Sequence, residues 1–191
     1  MNRPEALKRY RMAKEKGLVD KDIIYLLEII NSSEAYYTTS SCSGRIGVMQ
    51  IPGIGNKVQC VFLGKWHREV SYDEILGSIK NYKSGYLFLI VQSAIIHVVA
   101  KDIDSATALL KIAFESGFKY SSIKSISNSG VLVEILSTEN LNIPLGKNGN
   151  LMVDDEYIMF STDMANMTLR RIKQKLQKLE RKISCFLSHD S

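Results

Sequence analysis

The chain has 191 residues, of which 45% are hydrophobic and 24% charged, with a formal net charge of +5. That length suits one domain with a sizeable core. No run is long and apolar enough to span a bilayer: the nearest, residues 86–100, is interrupted by Gln92, Ser93 and His97. Cys42, Cys60 and Cys185 are odd in number and widely spaced. They argue against a disulfide framework and a structural zinc site and fit a reducing cytoplasm.

In chain order, residues 4–16 read as a basic helix stopped by Gly17, with no apolar signal-peptide core. Residues 1–17 hold six basic and two acidic side chains, net +4. Asp20 or Asp22 caps a second helix to about Ser32, with Ile23, Leu26, Leu27 and Ile30 on its inner face. Residues 36–41 have β-propensity, and Ser43-Gly44 breaks the run. Residues 45–51 and 58–63 form a hairpin across the loop 52–56. Ser71 and Glu74 form a capping box for a helix to about Tyr82. The continuous apolar runs 86–91 and 94–100 suggest central strands buried on both faces. Asp104 or Ser105 caps a helix to Ser116, closed by Gly117. Residues 122–127 and 131–137 are a hairpin around Asn128-Ser129-Gly130, and 141–150 is a loop.

Asp154 caps the last helix, where Leu169, Ile172, Leu176, Leu179, Ile183 and Phe186 recur as a heptad seam. That seam packs on its own domain or on a partner helix. Residues 168–182 hold seven basic side chains and one acid, net +6. Two basic ends on an acidic middle suggest a polyanion, nucleic acid first; the alternative is a solvated, lysine-rich helix face.

The stretch 36–45 is poor core material, because each buried hydroxyl needs a partner. It lies between an apolar helix and an apolar strand, where a ligand can approach the backbone. Cys42 is a nucleophile only if a base lies beside it; otherwise it is a small side chain at a bend. Gly44-Arg45 offers close backbone approach and a fork for phosphate or carboxylate, or else a turn with a surface ion pair. Trp66 can stack on a base and His67 can move a proton; the alternative is a core tryptophan with a hydrogen-bonded neighbour. His97, inside an apolar strand, is a satisfied core histidine or lines a pocket. Gly53-Ile54-Gly55 lacks a third glycine and a following helix, so no Rossmann nucleotide site is indicated. No metal-ligand cluster is expected.

Residues 38–46, Thr-Thr-Ser-Ser-Cys-Ser-Gly-Arg-Ile, resemble the signature of the tRNA wybutosine-synthesising protein 3 family. Its archaeal members are wyosine-pathway methyltransferases. The likeness continues through Trp66-His67, Ile96-His97-Val98, Ser116-Gly117-Phe118 and Ser121-Ser122-Ile123. It then runs through Pro144-Leu145, Gly149, Leu151-Met152-Val153, Glu156-Tyr157 and Asn166. It covers a core of about residues 18–168 within one domain, 1–191, leaving a basic helical extension of about 169–191.

The resemblance implies a cytoplasmic, S-adenosylmethionine-dependent methyltransferase. Its substrate would be the tricyclic wyosine-type base at guanosine 37 of phenylalanine tRNA, methylated at N4. The implied fold is α/β (α+β), a single compact domain with a mixed sheet flanked by helices and no Rossmann methyltransferase topology. On this reading Ser41, Ser43 and backbone N–H groups near Gly44 hold the donor or base. Ser40, Arg45 and Trp66 bind the substrate, and His97 or His67 assists loss of the N4 proton. The rival readings are a non-catalytic tRNA-binding module and a thiol hydrolase built on Cys42.

Overall fold

The computed structural model of the protein describes residues 2–55 and 60–188. In chain order the elements are α1 (Arg3–Glu15), α2 (Ile24–Ser32), β1 (Tyr36–Cys42), β2 (Arg45–Ile51), β3 (Val61–Trp66), α3 (Tyr72–Ile79), β4 (Tyr86–Gln92) and β5 (Ile95–Ala100). They continue with α4 (Ile103–Glu115), β6 (Ser122–Ser127), β7 (Gly130–Leu136), β8 (Leu141–Lys147), β9 (Asn150–Leu151) and α5 (Asp155–Ser188). The α/β class and the long basic C-terminal helix are as expected. The strands, however, divide between two sheets, and every described pair is antiparallel rather than part of one mixed sheet. Parallel neighbours need long crossovers within a sheet. Here the two-residue links after β1 and after β4 each lead into a strand of the other sheet.

The chain clusters into two compact units. The first comprises the residues up to Ser43, Ala94–Thr138 and those from Ile172 onward; the second comprises Gly44–Ser93 and Glu139–Arg171.

The first unit holds the sheet β1-β5-β7-β6. Alternation puts Ile96, Val98, Val133 and Ile135 on one face, all fully buried. On the other face Val99 and Tyr37 pack with Ala6 of α1, Leu7 and Leu132. Asp20 stands before a 3₁₀ turn leading into α2, but makes no side-chain cap. Its carboxylate accepts the Ser43 N–H instead, at 2.7 Å. The cap of α4 is Asp102, which accepts from Ser105 N–H at 2.7 Å, rather than Asp104 or Ser105.

The second unit holds the sheet β3-β2-β4-β8-β9. The hairpin β2–β3 forms as expected; of its proposed second strand, Val58 and Gln59 lie outside the described residues. The segment expected as a loop, 141–150, instead supplies β8 and the start of β9. Pro144 has no N–H to donate, and the β4–β8 register shifts beside it, between Leu87 and Phe88. The Ser71–Glu74 capping box is present in full.

Asp154 accepts the Tyr157 N–H at 2.9 Å and so begins α5. Leu169, Ile172, Leu176, Leu179 and Ile183 are buried in the single chain, and Phe186 meets Tyr36 with ring centroids 6.5 Å apart. The heptad seam is thus covered by its own chain. Each of those five side chains contributes about 1.5–3 kcal/mol of burial.

Candidate active site

One row of polar side chains crosses the sheet of the first unit. Register pairs Ser40 with His97, His97 with Glu134, and Glu134 with Ser122. Residues opposite one another on adjacent strands point to the same face, so the row is a consequence of strand order. A bulge at Thr39 shifts the β1 register and brings Ser40 opposite His97. Ser40 Oγ lies 2.7 Å from His97 Nδ1. His97 Nε2 lies 2.9 Å from Glu134 Oε2, and Lys124 Nζ donates to Glu134 Oε1 at 2.7 Å.

The protonation pattern follows from the carboxylate. The Glu134 side chain is only 11% exposed. Burial pushes its carboxyl up, but the hydrogen bonds from Lys124 and His97 outweigh it and hold it below the usual range. As an acceptor it takes the proton of His97 Nε2, leaving Nδ1 to accept the Ser40 hydroxyl. The row therefore ends, on its exposed side, in a serine oxygen backed by an imidazole and a carboxylate.

Ser40 also borders a cavity of about 240 Å³. Ala6, Arg9, Tyr10 and Ala13 of α1 form one wall, Leu18 and Val19 close it, and residues 38–41 of β1 form the other wall. Ser41 is exposed beside it, and Cys42 is half-buried.

Ser43 has a different environment from the serines before it. It is 0% exposed. Its N–H donates to Asp20, and its carbonyl and Oγ accept from Lys173 Nζ at 3.0 and 2.6 Å. Lys173 also pairs with Asp22 at 2.5 Å, which uses all three ammonium protons. With these groups engaged, Ser43 braces the bend rather than facing a ligand. Gly44 follows at φ +86°, a conformation that favours glycine.

Gly44, Arg45, Trp66 and His67 belong to the second unit, and Ser40, Ser41, Ser43 and His97 to the first. Arg45 Nε donates to Gln92 Oε1 at 2.5 Å, and its guanidinium lies 5.2 Å from the Phe62 ring centroid. Trp66 is half-buried and folds back over Gly64, where an added Cβ would sit 2.1 Å from the indole. His67 is half-buried at the end of β3.

The basic ends have unequal duties. In α5, Arg170 pairs with Glu69, Arg171 with Glu139 and Lys182 with Glu115; Lys175 donates to the Gly117 carbonyl. In α1, Arg3 holds the Asn31 and Ser33 carbonyls and Lys14 pairs with Glu28. Lys8, Arg11 and Lys16 are exposed, with no partner among the described residues.

Sequence reasoning missed Glu134, Lys124 and Arg9. Glu134 carried a legible signal, a lone charge inside the apolar run Val-Leu-Val-Glu-Ile-Leu, the same anomaly that singled out His97. Lys124 and Arg9 carried none.

The family described as Methyltransferase TYW3 matches residues 2–185. A tRNA(Phe) 7-((3-amino-3-carboxypropyl)-4-demethylwyosine(37)-N(4))-methyltransferase of Pyrococcus furiosus is 52% identical over 179 residues, covering 94% of this chain and 91% of its own. The enzyme of that name from Methanocaldococcus jannaschii is 44% identical over 178 residues, covering 93% and 92%. The solved structure of the PH1069 protein from Pyrococcus horikoshii superposes with a TM-score of 0.92 at 52% identity, covering 95% of this chain and 93% of that one. A hypothetical protein from Aeropyrum pernix gives 0.77 at 26% identity, covering 86% and 97%.

Proposed function

The chain belongs to the TYW3 methyltransferase family, and from that membership we infer that it methylates N4 of the 7-(3-amino-3-carboxypropyl)-4-demethylwyosine at position 37 of tRNA(Phe), with S-adenosylmethionine as donor, in the cytoplasm. Near 50% identity over nearly the whole length to enzymes so named supports the reaction. The observation that carries the site is the hydrogen-bonded row Ser40–His97–Glu134. No helix among the described residues is long and apolar enough to cross a membrane.

The donor, when bound, supplies an electrophilic methyl group on a sulfonium. It carries no phosphate, so the lack of a glycine-rich phosphate cradle is no obstacle. Ser40, Ser41 and Arg9 border the cavity between α1 and β1, where its amino acid end would be held. Ser41 takes the donor-binding role; Ser43, with its polar groups engaged, and Gly44 shape the bend that presents it.

In the transfer, a bond forms between N4 and the methyl carbon as the carbon–sulfur bond breaks, and N4 loses its proton. Ser40 Oγ accepts that proton while passing its own to His97 Nδ1. Glu134 then faces a cationic ring whose charge it stabilises. His97 is therefore the base and Ser40 its outer contact. His67, Trp66 and Arg45 form a separate polar–aromatic group for the nucleic acid: Trp66 for stacking, and the remaining guanidinium N–H groups of Arg45 for phosphate.

The test is methylation of precursor tRNA together with calorimetric titration of S-adenosylmethionine. His97→Ala is expected to lose roughly 10²- to 10⁴-fold in rate while still binding the donor. Cys42→Ala is expected to stay close to wild type, since the row assigns the thiol no step. Full activity of His97→Ala would remove the proposed base. A wild-type protein that binds tRNA but not the donor would favour the non-catalytic reading.

A further inference from the structure

The sheet of the second unit has two unlike faces. Ile46, Val48, Leu87, Leu89 and Val91 lie on one, all buried. Register carries the alternate residues to the other, where Phe62 stands opposite Met49, Met49 opposite Phe88 and Phe88 opposite Pro144. On the same face Lys65 stands opposite Gly47, and Lys147 opposite Tyr86. Side-chain contacts agree with those directions. The Phe62 ring lies over Gly47, where an added Cβ would sit 2.7 Å from it. The Arg45 guanidinium lies 5.2 Å from the Phe62 centroid, and Lys147 Nζ lies 5.8 Å from the Tyr86 centroid.

Phe62 is 37% exposed. Lys65, Pro144 and Lys147 are exposed, with Tyr86 and Phe88 half-buried between them. Lys65 and Lys147 make no hydrogen bond or ion pair among the described residues. Arg45 spends only its Nε–H, on Gln92, which leaves its terminal N–H groups. Among the described residues the strands of this sheet contain no Asp or Glu. Their only cations are Arg45, Lys65 and Lys147, and all three fall on the one open face.

Rings and uncompensated cations on an open sheet fit an unpaired nucleic acid. Each base offers a π-face to a ring and each phosphate a charge to a cation, whereas a duplex keeps its base faces stacked away. Phe62 and Phe88 are two strand spacings apart, roughly 10 Å, so the face takes more than one nucleotide. We propose that this face docks unpaired nucleotides of an RNA loop, with bases on Phe62, Phe88 and Tyr86 and phosphates on Arg45, Lys65 and Lys147. The proposal rests on the tRNA methyltransferase reading for the identity of the RNA.

Binding tests it without relying on turnover. Dissociation constants are measured for the anticodon stem–loop of tRNA(Phe), a short oligouridylate and a blunt RNA duplex, on proteins whose thermal melts show them folded. Phe62→Leu keeps apolar bulk without a ring. It is expected to weaken the stem–loop and the oligouridylate roughly five- to a hundredfold and to leave the duplex unchanged, while Phe62→Tyr restores the affinity. Lys65→Gln with Lys147→Gln is expected to lower the salt slope for the oligouridylate by about 0.7 for each phosphate released. Single-strand affinity unchanged in Phe62→Leu, equal weakening of the duplex, or no binding of either single-stranded probe would overturn the proposal. So would a wild-type dimer that Phe62→Leu abolishes, which would give the face to a second copy. Oligouridylate held through Phe62 by a protein that transfers no methyl group would refute the reaction and leave the face standing.

Discussion

Glu134 joins two costs that cancel only because of its neighbours. A carboxylate on an apolar strand is expensive to bury, and an unpaired one would take up a proton. Lys124 on β6 and His97 on β5 each satisfy one of its oxygens, so it stays charged and fixes the histidine tautomer. Glu134→Gln keeps the shape but removes the charge that orients and stabilises the ring. We expect kcat to fall at least about tenfold with KM little changed, and Glu134→Asp to recover part of the loss. Steady-state kinetics on precursor tRNA checks the split; a change confined to KM would make Glu134 a packing residue only. Ser43 is the opposite case: a motif serine whose hydroxyl is consumed by Lys173. Its identity in the motif was legible, its engagement was not, because Lys173 lies 130 residues away in sequence.

Among the elements, β3 shows how a glycine sets an aromatic. Gly64 leaves the space that the Trp66 indole occupies, and a methyl there would overlap the ring at 2.1 Å. Trp66 is the only tryptophan, so Gly64→Ala should change the emission of the folded protein as the ring is displaced; an unchanged spectrum would contradict this packing. The capping box of α3 reports on acid stability. Glu74 is held at about 2, first by its hydrogen bond with Arg68 and then by the Ser71 N–H. That value lies below the ordinary 4.5, so the stabilisation is complete above about pH 4.5 and is lost as pH falls toward 2. Glu74→Gln should therefore flatten the decline of Tm between about pH 4.5 and pH 2, measured by thermal melts. Both devices were partly legible: Ser-x-x-Glu announced the cap, whereas nothing in Gly-Lys-Trp announced that the ring turns back on its own strand.

Across the whole molecule, net charge agrees with the tRNA substrate named for the relatives without saying which cations would serve it. The seven basic residues of 168–182 invited a nucleic-acid role, yet Arg170, Arg171, Lys173, Lys175 and Lys182 are bound to groups of the same chain. Lys8, Arg11 and Lys16 of α1 are exposed and unengaged among the described residues. Lys8→Glu with Arg11→Glu should thus weaken tRNA binding and lower the salt slope by about one for each phosphate no longer neutralised. Lys182→Gln should leave both nearly unchanged. Titration at several salt concentrations decides; equal effects would return α5 to the interface.

The sequence by itself determined the α/β class, the elements other than β8 and, through the run from Thr38 to Ile46 with its later companions, the family. Those are local patterns and linear motifs, which survive in the order of residues. Only the tertiary structure decided that Ser40, His97 and Glu134 form one row, that Ser43 is a brace, and that most of α5's charge is spent internally. Ser40 and His97 lie 57 positions apart, and His97 and Glu134 lie 37 apart. Strand order and a single bulge at Thr39 make them neighbours, and neither can be read from a chain before it is folded.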